Sequence, residues 1–161
     1  MYNYVCATFT FDKKGDLIPH AIKVGVTSDC SQRFPKICKE VEKEEYPFGS
    51  TYVAVLPLFI IGGDYDKYIG ERVEDILRLY YLKKLGFDRG YKQDWINPEG
   101  LPAEYDIEAE NTEIEALLTE WFPNQNINIY YKYSAETDVP KSLVFGSFHG
   151  KFYYRYGLEK N

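Results

Sequence analysis

At 161 residues the chain is long enough to bury a proper core, and its 45% hydrophobic and 27% charged content is that of a globular protein. A net charge of −6 excludes a broad, non-specific nucleic-acid binder, and three cysteines without a C-x-x-C pair exclude a disulfide framework or zinc knuckle. No apolar run approaches the roughly 18 residues of a membrane span. The opening residues lack a signal peptide's basic start, so cytoplasm is the expected compartment.

Tyr4 to Phe11, "YVCATFTF", is rich in β-branched and aromatic residues and predicts a strand. "DKKGD" (Asp12 to Asp16) is turn chemistry, and His20 to Val26 resumes a strand, giving a hairpin. Ser28 or Asp29 then caps a helix whose apolar residues Phe34, Ile37, Cys38 and Val41 follow helical spacing, with a kink or a late start expected at Pro35. Ser50 to Ile61 is a continuous apolar run, read as a buried strand disturbed near its end by Pro57.

Ile69 to Gly86 carries Ile69, Val73, Ile76, Leu77, Tyr80 and Leu85 at helical spacing and stops at Gly86. Phe87 to Tyr105 reads as loop, Asn111 to Trp121 as a second helix, and Ile127 to Tyr133 as a strand. His149-Gly150 centres a final hairpin. The fold class expected is α/β in the α+β sense: a small, mainly antiparallel three-stranded sheet flanked by helices, followed by a helix and a β-hairpin.

The candidate chemistry begins in "IKVGVTSDCSQRF", where a strand ends on Gly25, turns, and enters a helix bearing Arg33 eight residues on. Met1 to Lys36 is locally basic, with Lys13, Lys14, Lys23, Arg33 and Lys36 against Asp12, Asp16 and Asp29. Glu104 to Glu120 is almost purely acidic, and the carboxylates Glu108 to Glu120 read as a solvated face of the second helix. His20 and His149 are too isolated for a nucleophile–base pair, and a buried, inert Cys30 outweighs an activated thiol at a helix start. The tail "KFYYRY", with Lys151 and Arg155 among aromatics, fits base stacking with phosphate contact as well as it fits a sheet edge or dimer seam.

The first ninety residues resemble the GIY-YIG nuclease family. "NYVCATF" stands for its first motif, with Tyr4 in the tyrosine place. "KVG" (Lys23, Val24, Gly25) stands for the second, followed by Thr27 and by Arg33 at the family's glycine-to-arginine spacing. The chain departs from the family in three ways. Lys23 stands where many members have tyrosine, the turn between the motifs is longer, and the histidine often found after the arginine is absent from "FPKIC". A literal "YIG" at Tyr68 to Gly70, with Arg78 eight residues past it, offers a second register, but that stretch reads as helix throughout.

The resemblance implies a nuclease domain over residues 1–100, with 101–161 an extension packed on it for target recognition or dimerisation. It implies a divalent-metal-dependent DNA endonuclease of phage, mobile-element or restriction type, acting in the host cytoplasm if phage-encoded. Tyr4, Lys23, Arg33 and Glu74 would be catalytic, and Glu74, or alternatively Glu71, would ligate one Mg²⁺ or Mn²⁺. Asn97 is a candidate for the family's late asparagine, and Lys13, Lys14, Thr27, Lys36, Lys151 and Arg155 are candidate DNA contacts. Tyr4, aided by Lys23, would take a proton from water, working best with a lowered pKa, and Arg33 would hold the phosphate. The alternative is a catalytically degenerate module of the same fold that binds DNA or a protein partner without cleavage.

Overall fold

In the computed structural model, residues 1–11, 17–44, 54–85, 95–96, 106–133, 145–148 and 151–154 are described. The order is β1 (Tyr2–Phe11), β2 (Leu17–Thr27), α1 (Cys30–Glu44), β3 (Ala54–Gly63), α2 (Lys67–Leu85), β4 (Trp95–Ile96), α3 (Ile107–Trp121), β5 (Ile127–Lys132), β6 (Phe145–Phe148) and β7 (Lys151–Tyr154). β1 is central, antiparallel to β2 on one side and to β3 on the other.

The expected α+β class with an antiparallel sheet and flanking helices is observed. The three-strand limit, however, is corrected. β5 pairs antiparallel with β3 from Phe59↔Lys132 to Gly63↔Ile127, and β4 adds a short rung to the outer side of β2. β6 meets β3 at Val55↔Phe145 and forms a hairpin with β7. The reason lies in β3: its residues 55–61 are all buried, so its outer backbone groups need partners as well as its side chains. The segment read as an appendage supplies them.

Alternating side chains divide the core into two layers. Val5, Ala7, Ile22 and Val24 pack with Val73, Leu77 and Tyr81 of α2 and with Ile114 and Leu118 of α3. Tyr4, Cys6 and Ala21 pack on the other side with Cys30, Phe34 and Ile37 of α1. α1 and α2 therefore cover opposite faces of the sheet. The strand register shifts between Ala7 and Phe9, where Thr8 Oγ1 accepts a hydrogen bond from Ala21 N at 3.1 Å and satisfies a donor the ladder leaves over.

Helix boundaries follow capping chemistry. α1 starts at Cys30 because Asp29 Oδ1 accepts from Ser31 N at 2.9 Å and Gln32 N at 3.4 Å. The helix begins early and continues across Pro35, whose missing N–H only deprives Ser31's carbonyl of its partner. α3 starts four residues ahead of the expected Asn111, since Asp106 accepts from Glu108 N and Ala109 N.

Candidate active site

The Tyr4↔Gly25 register is the structural core of the site. It sets the two motif ends directly across from each other, and Gly25 faces the Tyr4 ring. A Cβ at Gly25 would lie 2.2 Å from Tyr4 Oη, a distance no side chain can occupy, so glycine is required by close approach. Phe34 meets the Tyr4 ring edge to face at 5.4 Å. Thr27 holds the turn into α1, its hydroxyl accepting from Asp29 N at 3.1 Å and donating to Asp29 O at 3.2 Å. One turn into the helix, Arg33 Nε donates to Tyr4 Oη at 3.1 Å. The strand tyrosine and the helix arginine thus meet in one contact.

Electrostatics there differ from the expectation. Burial pushes the Tyr4 hydroxyl well above the ordinary tyrosine range, and nearby Cys6 adds to it. The Arg33 hydrogen bond and charge pull it back only partly, and the charge of Glu74 raises it again. The lowered pKa with which Tyr4 would work best as a base is therefore not what is found: with only 1% of the residue exposed, desolvation outweighs one neighbouring cation. Burial works against the Arg33 charge as well, but the Tyr4 hydrogen bond and the Tyr4 and Glu40 charges leave its pKa raised, so it stays cationic. Arg33 Nη1 lies 3.6 Å from Glu40 Oε1. Its side chain keeps 30% exposure, open enough to meet a ligand.

Lys23 is opposite Cys6, on the same face as Tyr4 and diagonal to it, and is buried to 4% exposure rather than solvated. Glu74 is on α2, the helix of the opposite layer, and its Oε1 accepts from Arg78 Nη2 at 2.7 Å. Its charge still reaches Tyr4, but its direct partner is one helical turn along its own helix. Glu71 is more exposed and lies 3.9 Å from Lys67. Tyr68, Ile69 and Gly70, the literal "YIG", lie in the first turn of α2, and Arg78 belongs to the same helix. Lys36 is exposed on α1. Lys13, Lys14, Asn97 and Arg155 lie outside the described residues, and Lys151 is described only as the first residue of β7.

Asn3 is a residue that the motif reading passed over. It is wholly buried; Nδ2 donates to Gly70 O at 2.8 Å and Gly25 O at 3.5 Å, and Oδ1 accepts from Tyr65 at 2.8 Å. It thereby ties the start of β1, the motif glycine and the first turn of α2 together. A signal was present: asparagine is a poor strand former, so its place inside "MYNYVCATF" needed a polar reason. Cys30, beside the same turn, is pushed up to about 11 by burial and the Asp29 charge, which makes it an unreactive thiol.

The donor set for a divalent ion is small. Among the described residues no group of three or more His, Cys, Asp or Glu side chains could hold a metal. Glu74 offers one carboxylate, with one oxygen engaged by Arg78. That fits a hard ion which keeps most of its waters and completes its shell with substrate phosphate, the habit of Mg²⁺. No protein-family model, no curated protein and no solved structure matches the chain.

Proposed function

We propose that the chain is a divalent-metal-dependent DNA endonuclease of GIY-YIG type, hydrolysing phosphodiester bonds at the Tyr4–Arg33 centre. The observation that carries the proposal is the 3.1 Å hydrogen bond from Arg33 to a tyrosine packed over Gly25. Residues 29 positions apart in sequence meet where the two motifs would need them. Arg33 is the anion-binding group, with a planar, permanently charged fork of which Nε is committed to Tyr4 and the remaining N–H groups can reach a phosphate oxygen.

Hydrolysis forms a bond from water oxygen to phosphorus, breaks the bond to the leaving oxygen, and moves a proton off water. Tyr4 stays protonated at neutral pH and accepts a hydrogen bond from Arg33, so its own O–H is available to donate. In this state it orients water or a phosphate oxygen, and it takes a proton only by passing its own on in the same step. The acceptor for that proton is a phosphate oxygen, and Lys23, on the same face of the sheet, is a nearby hydrogen-bond donor with no acceptor site of its own. Glu74 would hold the Mg²⁺ or Mn²⁺ ion, whose contribution is a cation beside the departing oxygen.

The test is cleavage of plasmid and phage genomic DNA with Mg²⁺ or Mn²⁺, comparing wild type with Arg33→Ala and Glu74→Ala. Cutting that both substitutions abolish supports the proposal. Cutting that survives both rules out this centre.

The second reading is a module of the same fold that binds DNA, or a protein, without cutting. Two observations favour it: Glu74 is paired with Arg78, and Tyr4 is held protonated. Salt-sensitive DNA binding without cleavage would select it. A homodimer built through the tyrosine-rich tail belongs to either reading.

A further inference from the structure

A cavity of about 370 Å³ lies beside the proposed centre. Its walls include Tyr2 from β1, Asp29 and Ser31 at the start of α1, and Tyr130 and Tyr131 from β5. Tyr2 stands two residues before Tyr4, so both project from the same face of β1. Cys30, also in the wall, is one helical turn before Arg33. The cavity therefore neighbours the Tyr4–Arg33 contact, although neither Tyr4 nor Arg33 is part of its wall.

The chemistry of the walls defines the occupant. Tyr2 and Tyr130 meet edge to face at 5.3 Å and 64°, an arrangement in which the ring presenting its edge keeps its own faces free for stacking. Tyr130 is 56% exposed, so a flat ligand reaches it without displacing core. Asp29 makes the floor anionic, its pKa lowered by the Ser31 hydroxyl and by Ser31 and Gln32 backbone N–H groups. These bonds converge on Oδ1, which leaves Oδ2 as an acceptor. A carboxylate already occupies the helix start, so the cavity disfavours a phosphate. Aromatic faces with a carboxylate acceptor suit an aromatic ring that bears N–H donors.

We propose that this cavity receives an unstacked, amino-bearing nucleobase of the DNA strand whose phosphate Arg33 holds. The inference rests on the nuclease reading for its substrate, but it makes a claim of its own about base recognition. Tyr130 supplies a stacking surface, and Asp29 accepts from the exocyclic amine. Thymine, which lacks that amine, is the poorest occupant.

The test uses the full chain in EDTA, so that no strand is cut. A thymidine oligonucleotide with a single central 2-aminopurine is compared with the same strand carrying an abasic residue there. Wild type should bind the 2-aminopurine strand about tenfold or more tightly and quench its fluorescence, in keeping with the strength of base–aromatic stacking. Tyr130→Ala should erase the preference, and Tyr130→Phe, which keeps the ring, should retain it. Equal affinity for both strands, or a preference that survives Tyr130→Ala, overturns the proposal. Cleavage with Mg²⁺, scored separately on wild type, keeps the two claims apart. Cleavage without base preference overturns the cavity assignment alone, base preference without cleavage overturns the nuclease reading alone, and no binding to either strand overturns the cavity assignment directly.

Discussion

Tyr4, Gly25 and Arg33 constrain one another, and each can be removed separately. Gly25→Ala places a methyl group where Tyr4 Oη now sits, and overpacking of that kind costs about 1–3 kcal/mol. Its urea midpoint should fall, and the fall should shrink when Tyr4→Leu removes the ring, whose Cζ would also lie 2.3 Å from the added Cβ. Tyr4→Phe alone leaves the ring against Phe34 but deprives Arg33 Nε of its acceptor. Arg33→Ala should lower the cleavage rate about 100- to 1000-fold, the scale for losing one preorganised donor to developing charge, and Arg33→Lys should restore little of it, because a point charge does not replace the fork. Steady-state rates on one plasmid check both. At this scale the sequence showed which residues to watch, through the spacing from Gly25 to Arg33 and the tyrosine two positions into a strand-forming run. It could not show the protonation of Tyr4. That depends on how much water the fold removes around the hydroxyl, a quantity set by Phe34 and the sheet rather than by any motif.

At the level of elements, the junction of β1, β2 and α2 decides whether Glu74 stays within electrostatic reach of Tyr4. Gly70 packs on Val26: an added Cβ would lie 2.8 Å from Val26 Cγ2. Gly70→Ala would gain about 1 kcal/mol of helix propensity, but overpacking against a stiff β-branched neighbour costs about 1–3 kcal/mol, so the variant should be destabilised. Adding Val26→Ala should recover part of the loss in denaturant titration, and a simple gain in stability for Gly70→Ala would contradict the contact. Asn3→Ala should cost about 1–3 kcal/mol, since it removes the bond to Gly70 O and leaves the buried Tyr65 hydroxyl without its acceptor. The long elements were legible because periodicity and β-branched runs announce them; α2, for example, spans nearly the stretch its apolar spacing outlined. The start of α3 was missed because the apolar pattern begins after the cap, and Asp106 was the signal. β4 was passed over as loop because two residues carry no period, and it exists only through its pairing with Ile22 and Lys23.

For the whole molecule, the sheet continues through segments that sequence spacing set apart as an extension. β5 closes the outer edge of β3, and α3 is held to α2 and β5 by Glu113, which accepts from Lys84 at 2.8 Å, and by Glu115, which accepts from Lys132 at 2.5 Å. The acidic stretch read as solvent-facing is thus partly spent on joining layers, and Glu110 within it is buried. Such pairings are non-local, which is why residue order alone left the edge of β3 open. Among the described residues no helix is long and apolar enough to cross a membrane. Burial also fixes how the fold responds to alkali. Cys6 is pushed up to about 12 and Cys30 to about 11, and Tyr4 and Tyr65 are raised above the tyrosine range, all chiefly by burial. Because these folded-state pKa values exceed the unfolded ones, the unfolded chain loses its protons first. Stability is full below the unfolded thiol value of 9.0 and is lost as pH rises toward the folded values. Urea midpoints should therefore fall steadily between about pH 9 and about pH 11, and a flat profile would contradict the burial of these groups. The central claim is that the Tyr4–Arg33 centre cuts DNA with the help of one divalent ion. Its most direct test is Mg²⁺- or Mn²⁺-dependent cleavage of supercoiled plasmid and phage genomic DNA by wild type and by Arg33→Ala, with folding and DNA affinity measured on the same preparations. Wild type should cut in a way that EDTA stops, and folded Arg33→Ala protein should bind DNA but leave it intact. Undiminished cutting by Arg33→Ala, or DNA binding by wild type without any cutting, would contradict it.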